Sequence, residues 1–131
     1  MSARAASCSC GAFTVTCAGE PLRISVCHCR PCQRRTGSAL SASACFPIEA
    51  VTLSGKSQTW VRVADSGNKA TFHFCPTCGS TVCWLPDAFP DRVYIAVGAF
   101  ADPAFPAPKV EVYTQFRHPW LSVDCPESYE G

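Results

Sequence analysis

The cysteines constrain this chain more than any other feature. Eleven of its 131 residues are cysteine, and seven of these are closely spaced in three groups. The groups are Cys8 and Cys10, then Cys27, Cys29 and Cys32, then Cys75 and Cys78. Thiols at such spacings either pair as disulfides or bind a metal ion. An odd number of cysteines leaves at least one unpaired, which favours metal binding.

The expected compartment also favours metal binding. The residues before the first cysteine include no apolar run of signal-peptide length, and no stretch approaches the roughly 20 apolar residues of a membrane-spanning helix. We therefore expect a cytoplasmic protein without membrane contact. Disulfides are rare in the reducing cytoplasm, whereas thiolate ligands for metal ions are common there.

The pattern of apolar residues predicts a mainly β protein. Apolar and polar residues alternate along 13–17, 61–63, 72–74 and 93–97, and no segment has the period of a three-turn helix. We predict a hairpin between 51–53 and 59–61 and a late strand over 110–114. With 47% hydrophobic residues, the chain can form one packed domain over residues 1–131. Cys17 and Cys45 fit this core as small apolar residues.

The charge balance argues against a polyanionic partner. Eleven Lys and Arg residues face ten Asp and Glu residues, for a formal net charge of +1. A nucleic-acid-binding surface normally needs a clear basic excess. We therefore expect small-molecule partners and no nucleic acid.

Seven closely spaced thiols indicate one site of four ligands and one of three. A structural zinc ion takes four protein ligands, whereas a catalytic zinc ion takes three and keeps one exchangeable position. Spacing alone lets either Cys8 and Cys10 or Cys29 and Cys32 complete the site of Cys75 and Cys78. A further thiol, Cys83 or Cys125, could also close the three-ligand site.

The order of these motifs resembles the glutathione-dependent formaldehyde-activating enzyme family. The resemblance covers about residues 7–120 and rests on three segments, CSCG from Cys8, CHCRPCQRRTGS from Cys27 and FCPTCGS from Phe74. It implies several coiled antiparallel sheets stapled by a structural zinc ion. The implied structural ligands are Cys8, Cys10, Cys75 and Cys78, and the implied catalytic ligands are Cys27, Cys29 and Cys32.

The resemblance also implies a carbon–sulfur lyase or synthase. Glutathione would be the co-substrate, and its thiolate would add to formaldehyde or a related small aldehyde to give S-hydroxymethylglutathione. The residues after the second motif could bind the glutathione carboxylates through side chains and backbone donors. These residues are Arg34, Arg35, Thr36, Gly37 and Ser38. The side chain of His28, between two ligands, is expected to point away from the metal.

Two other functions fit parts of the pattern. A zinc-stapled module without catalytic activity could bind a partner through Trp60, Trp84 and Trp120. A methionine sulfoxide reductase has a related zinc-stapled β fold, but its reactive cysteine lies in a late strand. Here only Cys125 could take that role.

Overall fold

Strands form most of the regular structure in residues 3–131, the residues that this computed structural model describes. The strands are β1 (Ala3–Ser7), β2 (Thr14–Ala18), β3 (Arg23–Cys27), β4 (Ser41–Pro47), β5 (Val51–Ser54), β6 (Gln58–Val63), β7 (Lys69–Phe74), β8 (Thr81–Pro86), β9 (Arg92–Ala96), β10 (Val110–Val112) and β11 (Glu127–Ser128). One α-helix, α1, spans Arg30–Thr36. The predicted mainly β fold is confirmed.

The strands form two sheets. The smaller sheet has the order β1-β2-β5, and the larger has the order β11-β10-β3-β4-β9-β8-β7-β6. Most neighbours are antiparallel, but β10 runs parallel to both β3 and β11. The larger sheet is therefore mixed, whereas the family resemblance implied antiparallel sheets.

The hydrophobic core joins the two sheets. Phe13 and Val15 from the small sheet belong to one buried cluster with Phe46, Val93 and Ile95 from the large sheet. Cys17 is part of this cluster and Cys45 is also buried, as predicted for both. Cys8 and Cys75 belong to the same cluster. One group of metal-ligand candidates thus lies at the edge of the core, where the sheets meet.

The predicted hairpin between β5 and β6 is wrong. Strand β5 pairs with β2 in the small sheet, and β6 pairs with β7 in the large sheet. The short polar connection changes sheets instead of folding back. Strand β6 lies at the edge of its sheet, and Val61 and Val63 are therefore largely exposed despite their alternation.

Gly55 makes the crossing between the sheets possible. Its φ is +92°, and a Cβ at this position would lie 2.0 Å from the Ala12 carbonyl oxygen. Only glycine fits so close to another backbone segment at a positive φ. The chain can therefore leave β5 in close contact with the backbone of Ala12, which follows the turn of the first cysteine pair.

We expect Gly55→Ala to destabilise the protein by about 3 kcal/mol or more, since the backbone must shift in addition to adopting a strained φ. Gly67 is the matched control, with a φ of +91° and no atom within 4 Å of the added Cβ. Gly67→Ala should cost only about 1 to 2 kcal/mol. Urea unfolding of both variants measures the difference, and equal losses would contradict the role of the close approach.

No helix among residues 3–131 has the length and apolar content to cross a membrane.

Candidate metal centres

Four cysteines from distant parts of the chain meet between the two sheets. The sulfur atoms of Cys8, Cys10, Cys75 and Cys78 all lie within 4.8 Å of one another. The Cys10 sulfur is 3.7 Å from that of Cys8 and 3.6 Å from that of Cys75. Zn–S bonds of about 2.3 Å in a tetrahedron place the sulfurs about 3.8 Å apart, so this cluster fits a four-thiolate ion.

Two similar turns hold these sulfurs. In the first, the Cys8 N–H donates to Phe13 O and the Gly11 N–H donates to Cys8 O. In the second, the Cys75 N–H donates to Ser80 O and the Gly79 N–H donates to Cys75 O. The glycines have φ values of +83° and +81°. Each turn thereby aims two thiols at the same point.

Backbone and hydroxyl groups support the four-sulfur cluster. The Phe13 N–H donates to the Cys8 sulfur at 3.2 Å, and the Thr77 N–H to the Cys75 sulfur at 3.4 Å. Hydrogen bonds from Ser80 lower the pKa of Cys78 to about 5. Such donors favour the thiolate form, which is the form that binds metal. An ion here would tie the β1–β2 turn to the β7–β8 turn.

The second cluster forms where β3 ends and α1 begins. The sulfurs of Cys27, Cys29 and Cys32 lie within 4.8 Å of one another. Cys29 is the N-cap of α1, and its sulfur accepts a hydrogen bond from the Cys32 N–H at 3.4 Å. Among residues 3–131, the group includes no fourth Cys, His, Asp or Glu ligand. Three sulfurs without a fourth ligand match the pattern of an open site.

The three thiols titrate as a unit. Hydrogen bonds from the Cys27 and Cys32 thiols lower the pKa of Cys29, and the charge of Arg62 adds to this effect, while burial opposes it. The hydrogen bond to Cys29 is the main reason why the pKa of Cys27 is raised. Cys29 therefore loses its proton first, and a bound cation would favour deprotonation of the other two.

His28 and Glu111 are buried behind the three-sulfur cluster. The Glu111 Oε1 accepts hydrogen bonds from Arg117 at 2.6 Å and from the Ser128 hydroxyl at 3.2 Å. Its Oε2 lies 3.5 Å from the His28 Nε2. The His28 backbone N–H donates to the Val112 backbone carbonyl oxygen. The ring of His28 therefore packs towards β10, and it contributes no ligand to the cluster.

A row of aromatic residues crosses the large sheet on the side of the helix. Trp60, Phe72, Trp84 and Tyr94 lie on adjacent strands, with neighbouring ring centroids 5.3 to 6.2 Å apart. The Arg35 guanidinium lies 4.4 Å from the centroid of the nearest Trp84 ring and 5.1 Å from that of Phe72. These cation–π contacts fix the helix against the sheet.

Arg35 connects the helix to the three-sulfur cluster as well. Its guanidinium donates to the Ser41 hydroxyl at 2.6 Å. Burial lowers the pKa of Arg35, whereas the charge on Cys32 and a hydrogen bond to it act in the opposite direction. Arginine stays protonated in proteins, so the cluster has a fixed positive charge beside it.

A cleft of about 280 Å³ opens next to Cys32. Arg35, Arg62, Lys69 and Asn68 contribute its polar groups, and aromatic and small apolar side chains form the rest of its lining. A cation-rich cleft beside a cluster of thiols can hold an anionic small molecule close to a bound metal ion.

The profile of the glutathione-dependent formaldehyde-activating enzyme family matches residues 3–116. The chain belongs to this family. Among solved structures, the chain is similar to a Rhodobacter sphaeroides protein at 21% identity and a TM-score of 0.56, covering 72% of this chain and 85% of that one. This likeness supports the fold alone. No curated protein is significantly similar to the chain.

In this formaldehyde-activating family member, the predicted ligands come together as two separate clusters, and Cys75 and Cys78 meet Cys8 and Cys10. Cys83 is buried on β8, and Cys125 makes a contact with Pro108 O at 3.8 Å. Neither belongs to the three-sulfur group. The assignment of the four-sulfur cluster as structural zinc ligands and of the three-sulfur cluster as catalytic zinc ligands stays a prediction.

The predicted glutathione-binding residues of this family member lie in different places. Arg35 alone among them lines the cleft beside Cys32. Arg34, Gly37 and Ser38 line a separate depression with His118 and Trp120. The Thr36 hydroxyl bonds to backbone oxygens at the helix end, including Cys32 O at 2.9 Å. A role of these five residues in substrate binding stays a prediction.

Sequence reasoning missed Arg62 and Lys69 as lining residues of the cleft beside Cys32. Arg62 lies on β6, in phase with Trp60, and Lys69 begins β7. In the sequence, both are at least thirty residues from Cys32. The alternation of Trp60 and Arg62 was a usable signal, because it puts the cation on the same face as the aromatic residue.

Proposed function

We propose that this protein is a zinc-dependent carbon–sulfur lyase or synthase of the S-hydroxymethylglutathione type. It would join the thiolate of glutathione to formaldehyde or a related small aldehyde and catalyse the reverse cleavage. Both partners are small molecules, and glutathione and its aldehyde adducts belong to the reducing cytoplasm, where we place the protein.

The observation that carries this proposal is the three-sulfur cluster beside a cationic cleft. Cys27, Cys29 and Cys32 offer three thiolates with no fourth protein ligand among residues 3–131. Soft thiolate donors suit zinc, and a three-ligand set is typical of catalytic rather than structural sites. Arg35 and Arg62 stand beside this set. They match the two carboxylates of glutathione.

The residues present fit a zinc ion in both clusters. Cys8, Cys10, Cys75 and Cys78 would hold one ion in a closed site, and Cys27, Cys29 and Cys32 would hold the other. When bound at the open site, zinc lowers the pKa of a thiol ligand and so supplies a thiolate at neutral pH.

The protein's own groups would orient the reactants. Arg35, fixed by Trp84 and Ser41, offers a guanidinium to a carboxylate of the thiol substrate. In the reaction the thiol gives up its proton, its sulfur forms a bond to the aldehyde carbon, the C=O π electrons move to oxygen, and that oxygen takes up one proton, which balances the proton lost from sulfur. The reverse reaction breaks the same C–S bond. Holding the two reactants close together also lowers the barrier.

The test compares glutathione with S-methylglutathione on the cobalt-substituted protein. S-methylglutathione keeps both carboxylates but cannot provide a thiolate. We expect glutathione to change the cobalt absorption spectrum and to bind at least tenfold more tightly, a difference of about 1.4 kcal/mol or more. Equal binding of both compounds with an unchanged spectrum would contradict the proposed function and favour a non-catalytic binding module.

A further inference from the structure

His28 separates Cys27 from Cys29, so its two peptide groups set the directions of both thiol side chains. The His28 backbone N–H, in the peptide shared with Cys27, donates to the Val112 carbonyl oxygen at 3.1 Å. The His28 carbonyl oxygen, in the peptide shared with Cys29, accepts a hydrogen bond from the Gln33 side-chain amide at 2.8 Å. Both peptide groups between the two sulfur ligands are therefore held in place by hydrogen bonds.

The Gln33 side chain connects this loop to a late part of the chain. Besides its bond to His28, the amide nitrogen donates to the Phe116 carbonyl oxygen at 3.2 Å. The amide oxygen accepts a hydrogen bond from the His118 Nε2 at 2.8 Å. A glutamine amide has two N–H donors and one acceptor oxygen, and all three groups are engaged here. Gln33 thus bridges the loop of the sulfur ligands and residues 116–118.

The Glu111 carboxylate holds the ring of His28 from β10. Both side chains are buried, and the Glu111 Oε2 lies 3.5 Å from the His28 Nε2. Within residues 3–131, neither of these two atoms has a hydrogen-bond partner of its own. The other carboxylate oxygen is fixed by Arg117 and Ser128. Burying a carboxylate and an imidazole costs stability that an apolar pair would not cost, which points to a role in placing the loop.

The two cysteine clusters differ in how their loops are held. Each turn of the four-sulfur cluster closes through backbone hydrogen bonds within the turn, such as those of Gly11 and Gly79. The loop at His28 is instead held by Val112 on β10 and by the Gln33 side chain on α1. The sulfur positions of the three-sulfur cluster therefore depend on groups that lie outside the loop.

We propose that Gln33 and Glu111 are positioning residues of the three-sulfur site. They hold His28 and, through it, keep the Cys27 and Cys29 sulfurs in the arrangement that binds a metal ion. Groups that orient the ligands of a metal ion commonly strengthen its binding. This inference rests on the metal ion of the proposed function and is independent of the substrate. It makes residues 111–118 a support of the site, although they contribute no ligand to it.

Titration of the cobalt-loaded protein with a competing chelator, followed by the absorption spectrum, measures the cobalt affinity of each site. Gln33→Glu keeps the shape of the side chain but removes both donors, and it places carboxylate oxygens against the carbonyl oxygens of His28 and Phe116. We expect the three-sulfur site to bind cobalt roughly 10- to 100-fold more weakly. The four-sulfur site of the same molecule should be unchanged, and it reports that the protein is folded.

Gln115→Glu is the matched control for this variant. Gln115 is exposed and lies in the same late part of the chain, within Thr114–Phe116. The substitution adds the same charge without touching His28, and it should change neither site. A negative charge alone attracts a cation, so weaker cobalt binding in Gln33→Glu cannot be an effect of charge.

Glu111→Gln tests the second contact. It keeps the size of the side chain and an oxygen for Arg117, but it removes the carboxylate that faces His28. We expect roughly tenfold weaker cobalt binding at the three-sulfur site. Glu127→Gln, an exposed position on the neighbouring strand β11, removes the same charge and should change neither site. Parent-like affinity of the three-sulfur site in both variants, or an equal loss at both sites, would overturn the proposal. Gln33 is only partly buried, so Gln33→Glu decides the question even if Glu111→Gln folds poorly.

The response of the parent protein to glutathione separates this failure from that of the proposed function. If glutathione changes the cobalt spectrum of the parent while both variants hold cobalt as tightly as the parent, only the positioning inference is wrong. If the parent spectrum ignores glutathione while the variants lose cobalt from the three-sulfur site, the positioning role stands and the proposed function is wrong.

Discussion

Cys10→Ser should prevent stable folding. The four-sulfur cluster joins the β1–β2 turn to the β7–β8 turn, and an ion held there contributes on the order of 10 kcal/mol in small zinc domains. Whole domains are stable by only about 5 to 15 kcal/mol, so losing this ion removes most of the margin. Cys10 itself is exposed, and the substitution therefore perturbs no core packing. Circular dichroism and thermal melts, with zinc measured in parallel, report the outcome.

Cys125→Ser is the control for this prediction. Cys125 is partly exposed and lies outside both cysteine clusters. We expect its melting curve and zinc content to match those of the parent. If Cys10→Ser melts like the parent as well, the four-sulfur cluster does not hold a structural ion.

Cys29→Ser should abolish catalysis while the protein stays folded. Serine is a good N-cap residue, so its hydroxyl can replace the Cys29 sulfur as the acceptor for the Cys32 N–H and keep α1 in place. The loss of one of three thiolates removes the open metal site. If metal binding supplies about 4 kcal/mol of transition-state stabilisation, the catalysed rate falls roughly a thousandfold.

The initial rate of S-hydroxymethylglutathione formation above the uncatalysed rate measures this effect. Cys45→Ser provides the control, because Cys45 is a buried thiol outside both clusters, and it should lower stability more than activity. Unchanged activity in Cys29→Ser would place the reaction elsewhere, and loss of folding in Cys29→Ser would contradict the division between structural and catalytic clusters.

The three-sulfur cluster could be predicted from the sequence because closely spaced metal ligands give a local signal. The spacing of Cys27, Cys29 and Cys32 keeps three thiols within six consecutive residues of the chain. The partner of Cys75 and Cys78 is a long-range contact, and spacing alone left two choices for it. The family resemblance chose Cys8 and Cys10, and the structure brings these four sulfurs together.

The sheet topology and the cleft lay beyond what the sequence could specify. A short polar connection such as the one around Gly55 can make a hairpin or change sheets, and the choice depends on which partner strand offers more burial. Arg62 and Lys69 reach the cleft because β6 and β7 extend the large sheet past the helix. Alternation puts Arg62 on the same face as Trp60, but which part of the sheet carries that face depends on tertiary packing.

The central claim is that the protein holds two metal ions in different environments, one closed and one open. The measurement that tests it most directly is cobalt binding per chain, followed by the absorption spectrum of each site with and without glutathione. We predict two ions per chain, one with the spectrum of a four-sulfur site that ignores glutathione and one with three protein sulfurs whose spectrum changes on adding it. One ion per chain, or two ions that both ignore glutathione, would contradict the account.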